Sequence, residues 1–139
     1  MVFFNAKIPY NKHMKIHHIA LTVNSLVESI KFYEETFGFN IIKEFEKKEI
    51  SAKAVFMQLG DVSIELFEFP DTKQSCDDLT DLKTIGIRHF AFEVNDINRT
   101  VANLREQGLE VTDPQMGSSG HNFCNLTDPN GIRLELYEK

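Results

Sequence analysis

Apolar and polar positions follow the same order twice along this 139-residue chain. Over residues 15–23, Ile19, Leu21 and Val23 alternate with His18, Ala20 and Thr22, the two-residue period of a strand with one buried face. Leu26, Ile30, Tyr33 and Phe37 then recur every three or four positions, which predicts a helix capped by Asn24 or Ser25 and stopped at Gly38. Three strand-like stretches follow at 40–47, 51–59 and 62–69, the last two joined by a tight turn at Gly60-Asp61.

After a polar stretch at 71–84 the order returns. Phe90, Phe92 and Val94 alternate with His89, Ala91 and Glu93 within a predicted strand 87–94. Ile97, Val101 and Leu104 predict a helix running to Gln107 with Gly108 as its stop. Strands are predicted near 109–112, 122–126 and 132–137, with a turn at Asp128-Pro129-Asn130-Gly131. The match is in register: the His18-headed strand recurs at His89, 71 residues on, and Ile64-Glu65-Leu66 recurs as Leu134-Glu135-Leu136, 70 residues on. Self-similarity at one period marks a duplicated unit. The expected fold class is therefore α+β, with paired βαβββ modules at 15–70 and 85–139, a linker at 71–84, and one domain over 14–139. Residues 1–13 share no pattern with the rest and read as an N-terminal tail.

Composition narrows the partners. The net charge of -6 opposes nucleic acid and anionic membrane surfaces, and no run of apolar residues is long enough to span a bilayer. Cys76 and Cys124 lie far apart without a C-x-x-C spacing, which suits two free thiols and a cytoplasmic location. Twelve Phe and no Trp make phenyl rings the bulk of the expected core.

Strand alternation places His18 and His89 on the faces their strands do not use for the core. By the same alternation Glu65 shares its face with Ser63, Phe67 and Phe69, and Glu135 shares its face with Arg133 and Tyr137. Any one of these residues alone reads as a solvent-facing polar group on a half-exposed strand. Four at duplicated positions read as a site: two imidazoles and two carboxylates suit a divalent metal with an open position. His17, next to His18, is expected on the opposite face. The loop Gly117-Ser118-Ser119-Gly120-His121 reads either as a flexible hairpin connection or as hydroxyls and amides that grip a carboxylate or phosphate.

From Lys15 to Lys139 the sequence resembles the vicinal oxygen chelate superfamily, the glyoxalase, bleomycin-resistance and dioxygenase fold. The resemblance rests on the His18 and His89 strands, the Phe32-Tyr33 to Phe37-Gly38-Phe39 helix end, and Asp128-Pro129-Asn130-Gly131 ahead of Glu135. It implies modules whose sheets curl around a cleft, with His18, Glu65, His89 and Glu135 as ligands to one divalent ion (Ni, Co, Zn or Mn). It also implies a homodimer, with each site formed inside one chain or across the dimer.

The four-ligand set most resembles glyoxalase I. That likeness implies a lyase or isomerase of the lactoylglutathione lyase kind, moving a proton through a metal-bound enediolate, with Glu135 as base and Glu65 as its counterpart. Thr22, Phe67, Phe69, Glu93, His121 and Arg133 are the expected substrate contacts. Glutathione-dependent members carry an Arg four residues after the first His and an Asn four after the first Glu; here those positions are Thr22 and Phe69. The alternatives are an epimerase of the methylmalonyl-CoA type and a non-catalytic small-molecule binder of the same fold.

Overall fold

The computed structural model describes residues 14–139 apart from 77 and 79, so the tail expected at 1–13 lies outside the described residues. The first module comprises β1 (His18–Thr22), α1 (Leu26–Phe37), β2 (Asn40–Lys47), β3 (Ala52–Leu59) and β4 (Val62–Glu68). The second comprises β5 (Phe90–Val94), α2 (Ile97–Glu106), β6 (Gln115–Met116), β7 (Asn122–Thr127) and β8 (Arg133–Glu138). Each module folds its strands into an open mixed sheet, in the orders β1-β4-β3-β2 and β5-β8-β7-β6. The first strand of each module runs parallel to its last, and the other neighbours are antiparallel.

Both helices start by the same device. Ser25 Oγ accepts from the Glu28 amide, and Asp96 Oδ1 accepts from the Arg99 amide. A carboxylate at the end of each module's last strand takes the helix's first amide: Glu68 Oε2 from Leu26 N at 2.6 Å, Glu138 Oε1 from Ile97 N at 2.9 Å. Negative charge there meets otherwise unsatisfied amides and the positive helix end. Gly38 (φ 81°) ends α1 in the left-handed region that a side chain would strain.

One core serves both modules. Ile64 and Leu66 of β4 and Leu134 and Leu136 of β8 are essentially inaccessible and belong to the same cluster as Tyr33 and Ile97. Phe37 of α1 stacks on Phe92 of β5 with centroids 3.8 Å apart. The turn between β7 and β8 completes the join. Asp128, 4% exposed, accepts from the Tyr33 hydroxyl at 2.9 Å, while Asn130 Oδ1 accepts from the Asn24 amide and Asn130 Nδ2 donates to Ser29. Burial and the Asp128 charge push the Tyr33 phenol far above its ordinary pKa.

The strand expected near 109–112 is not formed; the edge strand is β6, a few residues later. There the Thr112 amide donates to Asn125 O, but the Asn125 amide turns to the Thr112 hydroxyl, and Arg105 Nη2 takes the Val111 carbonyl. Side chains thus satisfy groups that a ladder would have paired. Among the described residues no helix is long and apolar enough to cross a membrane. Cys76 is exposed and Cys124 buried, both free, and burial pushes the Cys124 thiol up to about 11.

Candidate functional site

The parallel pairing inside each module sets the site geometry. Ala20 lies opposite Glu65, and Ala91 lies opposite Glu135. A methyl group beside each carboxylate leaves space, and the histidine two residues earlier on the same face reaches into it. His18 Nε2 lies 3.4 Å from Glu65 Oε2, and His89 Nε2 lies 3.3 Å from Glu135 Oε2. Two donors bound to one ion at about 2.0–2.2 Å stand roughly 3.0–3.5 Å apart, so each pair is spaced to share a metal. The carboxylates are not solvent-facing: their side chains are 7% and 15% exposed.

Each module builds its own pair, but one chain does not join the two. Among the described residues, no group of three or more His, Cys, Asp or Glu side chains is gathered so as to hold an ion. The apolar faces of both sheets pack into one shared cluster.

The surroundings of the pairs differ. In the first module, Lys47 Nζ lies 3.2 Å from Glu65 Oε1 and 4.6 Å from the centroid of Phe67. Phe56, directly opposite Glu65 in the β3–β4 register, stacks on Phe45 and meets the His18 ring edge-on. His17 departs from expectation. It precedes β1, its carbonyl accepts from the Ser63 amide, and its Nδ1 shares a 2.9 Å hydrogen bond with His18 Nδ1. That contact orients the His18 ring with Nε2 toward Glu65, as an outer-sphere partner of a ligating imidazole does.

In the second module, Asn125 takes the place opposite Glu135 and accepts from Arg133 Nε at 3.3 Å. Tyr137, two residues beyond Glu135, donates to Ser119 Oγ and packs at 5.2 Å against the ring of His121. His121 Nδ1 is 3.1 Å from the Glu138 carbonyl oxygen. Thr22 and Phe67, paired across β1 and β4, extend the first pair's face, and Phe69 lies beside Phe67. Glu93 sits opposite Tyr137 but is largely exposed, 3.9 Å from Lys139 Nζ.

Sequence reasoning missed Lys47, Phe56 and Asn125, which come from strands two and three of each module, where pairing alone fixes the neighbours. It also missed the helix-capping carboxylates, although Glu68 and Glu138 recur at the same 70-residue spacing as the site glutamates.

Known proteins resemble this chain along nearly its whole length. An uncharacterized protein, YwkD, of Bacillus subtilis is 36% identical over 89% of this chain and 96% of its own. A probable lactoylglutathione lyase of Vibrio parahaemolyticus is 33% identical over 89% of this chain and 90% of its own, and the mitochondrial methylmalonyl-CoA epimerase of Dictyostelium discoideum is 29% identical over 90% and 78%. The crystal structure of a glyoxalase family protein from Enterococcus faecalis superposes with a TM-score of 0.80 at 28% identity, covering 92% of this chain and all of the other. The duplicated modules and these likenesses agree with the family model that matches residues 15–136, and the chain belongs to the Glyoxalase/Bleomycin resistance protein/Dioxygenase superfamily.

Proposed function

We propose that this chain is a divalent-metal-dependent enzyme of the glyoxalase type, moving a proton on a small α-oxygenated substrate or its thiol hemithioacetal. The observation that carries the reading is the repeated pair, His18 with Glu65 and His89 with Glu135, each spaced for one ion. Two neutral imidazoles and two carboxylates balance a divalent charge and leave open positions, and the nitrogen and oxygen donors suit Ni, Co, Zn or Mn. Among the described residues of one chain the two pairs do not gather into one group. The proposed assembly is therefore a homodimer in which the first pair of one chain would meet the second pair of its partner, giving two sites per dimer.

A bound ion would supply Lewis acidity, polarising a carbonyl so that the neighbouring C–H loses its proton more readily. Glu135 is the base: its carboxylate takes the proton from that carbon and returns it. Return to the adjacent carbon is an isomerisation, as in a lactoylglutathione lyase; return to the opposite face of the same carbon is an epimerisation. Glu135 suits this role because its ion partner among the described residues is His89, whereas Glu65 is also held by Lys47. Thr22 and Phe69 stand where glutathione-dependent members carry Arg and Asn, which favours a substrate other than the glutathione adduct.

Elemental analysis of the purified chain after dialysis without chelator tests the reading, with sedimentation to give the oligomer. About one Ni, Co, Zn or Mn per chain in a dimer is expected, and His89→Ala should lose it. A chain that holds no metal and takes none up on titration overturns the proposal.

A further inference from the structure

Glu65 has a lysine partner beside its histidine, and among the described residues Glu135 pairs with no lysine. Lys47 Nζ stands 3.2 Å from Glu65 Oε1, on the oxygen not used by His18. The same ammonium lies over two rings, 4.6 Å from the centroid of Phe67 and 5.9 Å from that of Phe45. Glu65 is almost fully enclosed, while Lys47 is one-third exposed. An ionised carboxylate that deeply enclosed needs a counter-charge, and a divalent ion would provide the same compensation more strongly.

Lys47 reaches this face through a register shift. Ile41 pairs with the core residue Met57, yet Lys43, two residues on, pairs with Phe56 of the site face, so the irregularity between them moves Lys43, Phe45 and Lys47 to the Glu65 side. Once its carboxylate is claimed by a metal, an ammonium over phenyl rings retains their weak attraction and lacks an anion.

We propose that Lys47 is the resident counter-ion of Glu65, exchanged when a divalent ion takes the carboxylate, and that the freed ammonium then holds a second carboxylate of the substrate against the Phe45–Phe67 face. This inference rests on the metal-centre reading. It narrows the substrate class to α-oxygenated acids that bear a further carboxylate. It also requires reciprocity: loading the metal strengthens dicarboxylate binding, and a dicarboxylate strengthens metal binding by the same factor.

Calorimetric titrations of the full chain with Co²⁺, and of the Co²⁺-loaded chain with malate and with lactate, test the exchange. Both acids offer vicinal oxygens, and only malate carries the extra carboxylate. Lys47→Met should bind Co²⁺ about tenfold tighter than the native chain because the competing ammonium is gone, and Lys47→Arg should stay near native. The native chain should prefer malate over lactate by about tenfold, with the preference lost in Lys47→Met and kept in Lys47→Arg. Lys47→Gln gives the same comparison if the methionine variant proves insoluble. Unchanged Co²⁺ affinity in the neutral variants, or an undiminished malate preference, overturns the exchange and leaves the metal centre standing. A native chain that takes up no Co²⁺ overturns both.

Discussion

In the first module the site carboxylate is 7% exposed, gripped by a lysine and walled by phenyl rings; in the second it is 15% exposed, beside an asparagine and an arginine. The pair itself hardly changes, since both His–Glu distances agree within 0.1 Å. Duplication has kept the two donors, which the β-pairing and the neighbouring alanine fix, and has let the flanking strands diverge. On the proposed reading the difference separates two duties: the enclosed carboxylate holds the ion, and the more open one, without a lysine partner among the described residues, is placed to reach a substrate proton.

The largest expected effect tests this division. Glu135→Gln should lower turnover by roughly 10²–10⁴-fold while Co²⁺ uptake falls only modestly. Glu65→Gln should instead lose most of the metal affinity. Turnover is followed as hydrogen–deuterium exchange at the acidic carbon of hemithioacetals and epimerisable acids. Equal losses of turnover and metal in the two variants would erase the distinction.

Next comes the turn between the last two strands, where the modules also differ. The first module turns through Gly60-Asp61, whereas the second buries Asp128 against Tyr33 and the amides of Asn130 and Ile132. Asp128→Ala strands those donors and should cost about 3 kcal/mol in urea unfolding, with Asp61→Ala within about 0.5 kcal/mol of native. The helix caps are the point of greatest likeness, so Ser25→Ala and Asp96→Ala should each cost about 1 kcal/mol, and a large disparity would break the equivalence.

The smallest effect concerns pH. The Ile97 amide and the Asn122 side chain hold the Glu138 carboxyl below its ordinary pKa. A depressed folded pKa stabilises fully above the ordinary carboxylate range and loses that contribution as pH falls through the depressed value. The margin of native chain over Glu138→Gln in thermal melts should therefore shrink between about pH 6 and about pH 3.

Much of the fold and the two His–Glu pairs of the candidate site were legible in the chain because the signals are local. The two-residue period put His18 with Ala20 and His89 with Ala91 on the non-core faces, and the three-to-four period with Ser25, Gly38 and Gly108 bounded the helices. The repeat then doubled every local signal. Alternation did not anticipate the contact between the His17 and His18 rings, nor the stretch 109–112, where side chains took the backbone's hydrogen bonds.

The sequence by itself determined the duplicated βαβββ order and the four candidate donors, since periodicity and identity need no partner strand. The tertiary structure decided which donors meet. Parallel pairing across some 45 residues sets Ala20 opposite Glu65 and Ala91 opposite Glu135, which brings His18 and His89 to those carboxylates, and the register shift in β2 delivers Lys47. The tertiary structure also joined the modules: each sheet has one apolar face to bury and both commit it to the same interior, while among the described residues the two His–Glu pairs do not gather into one group.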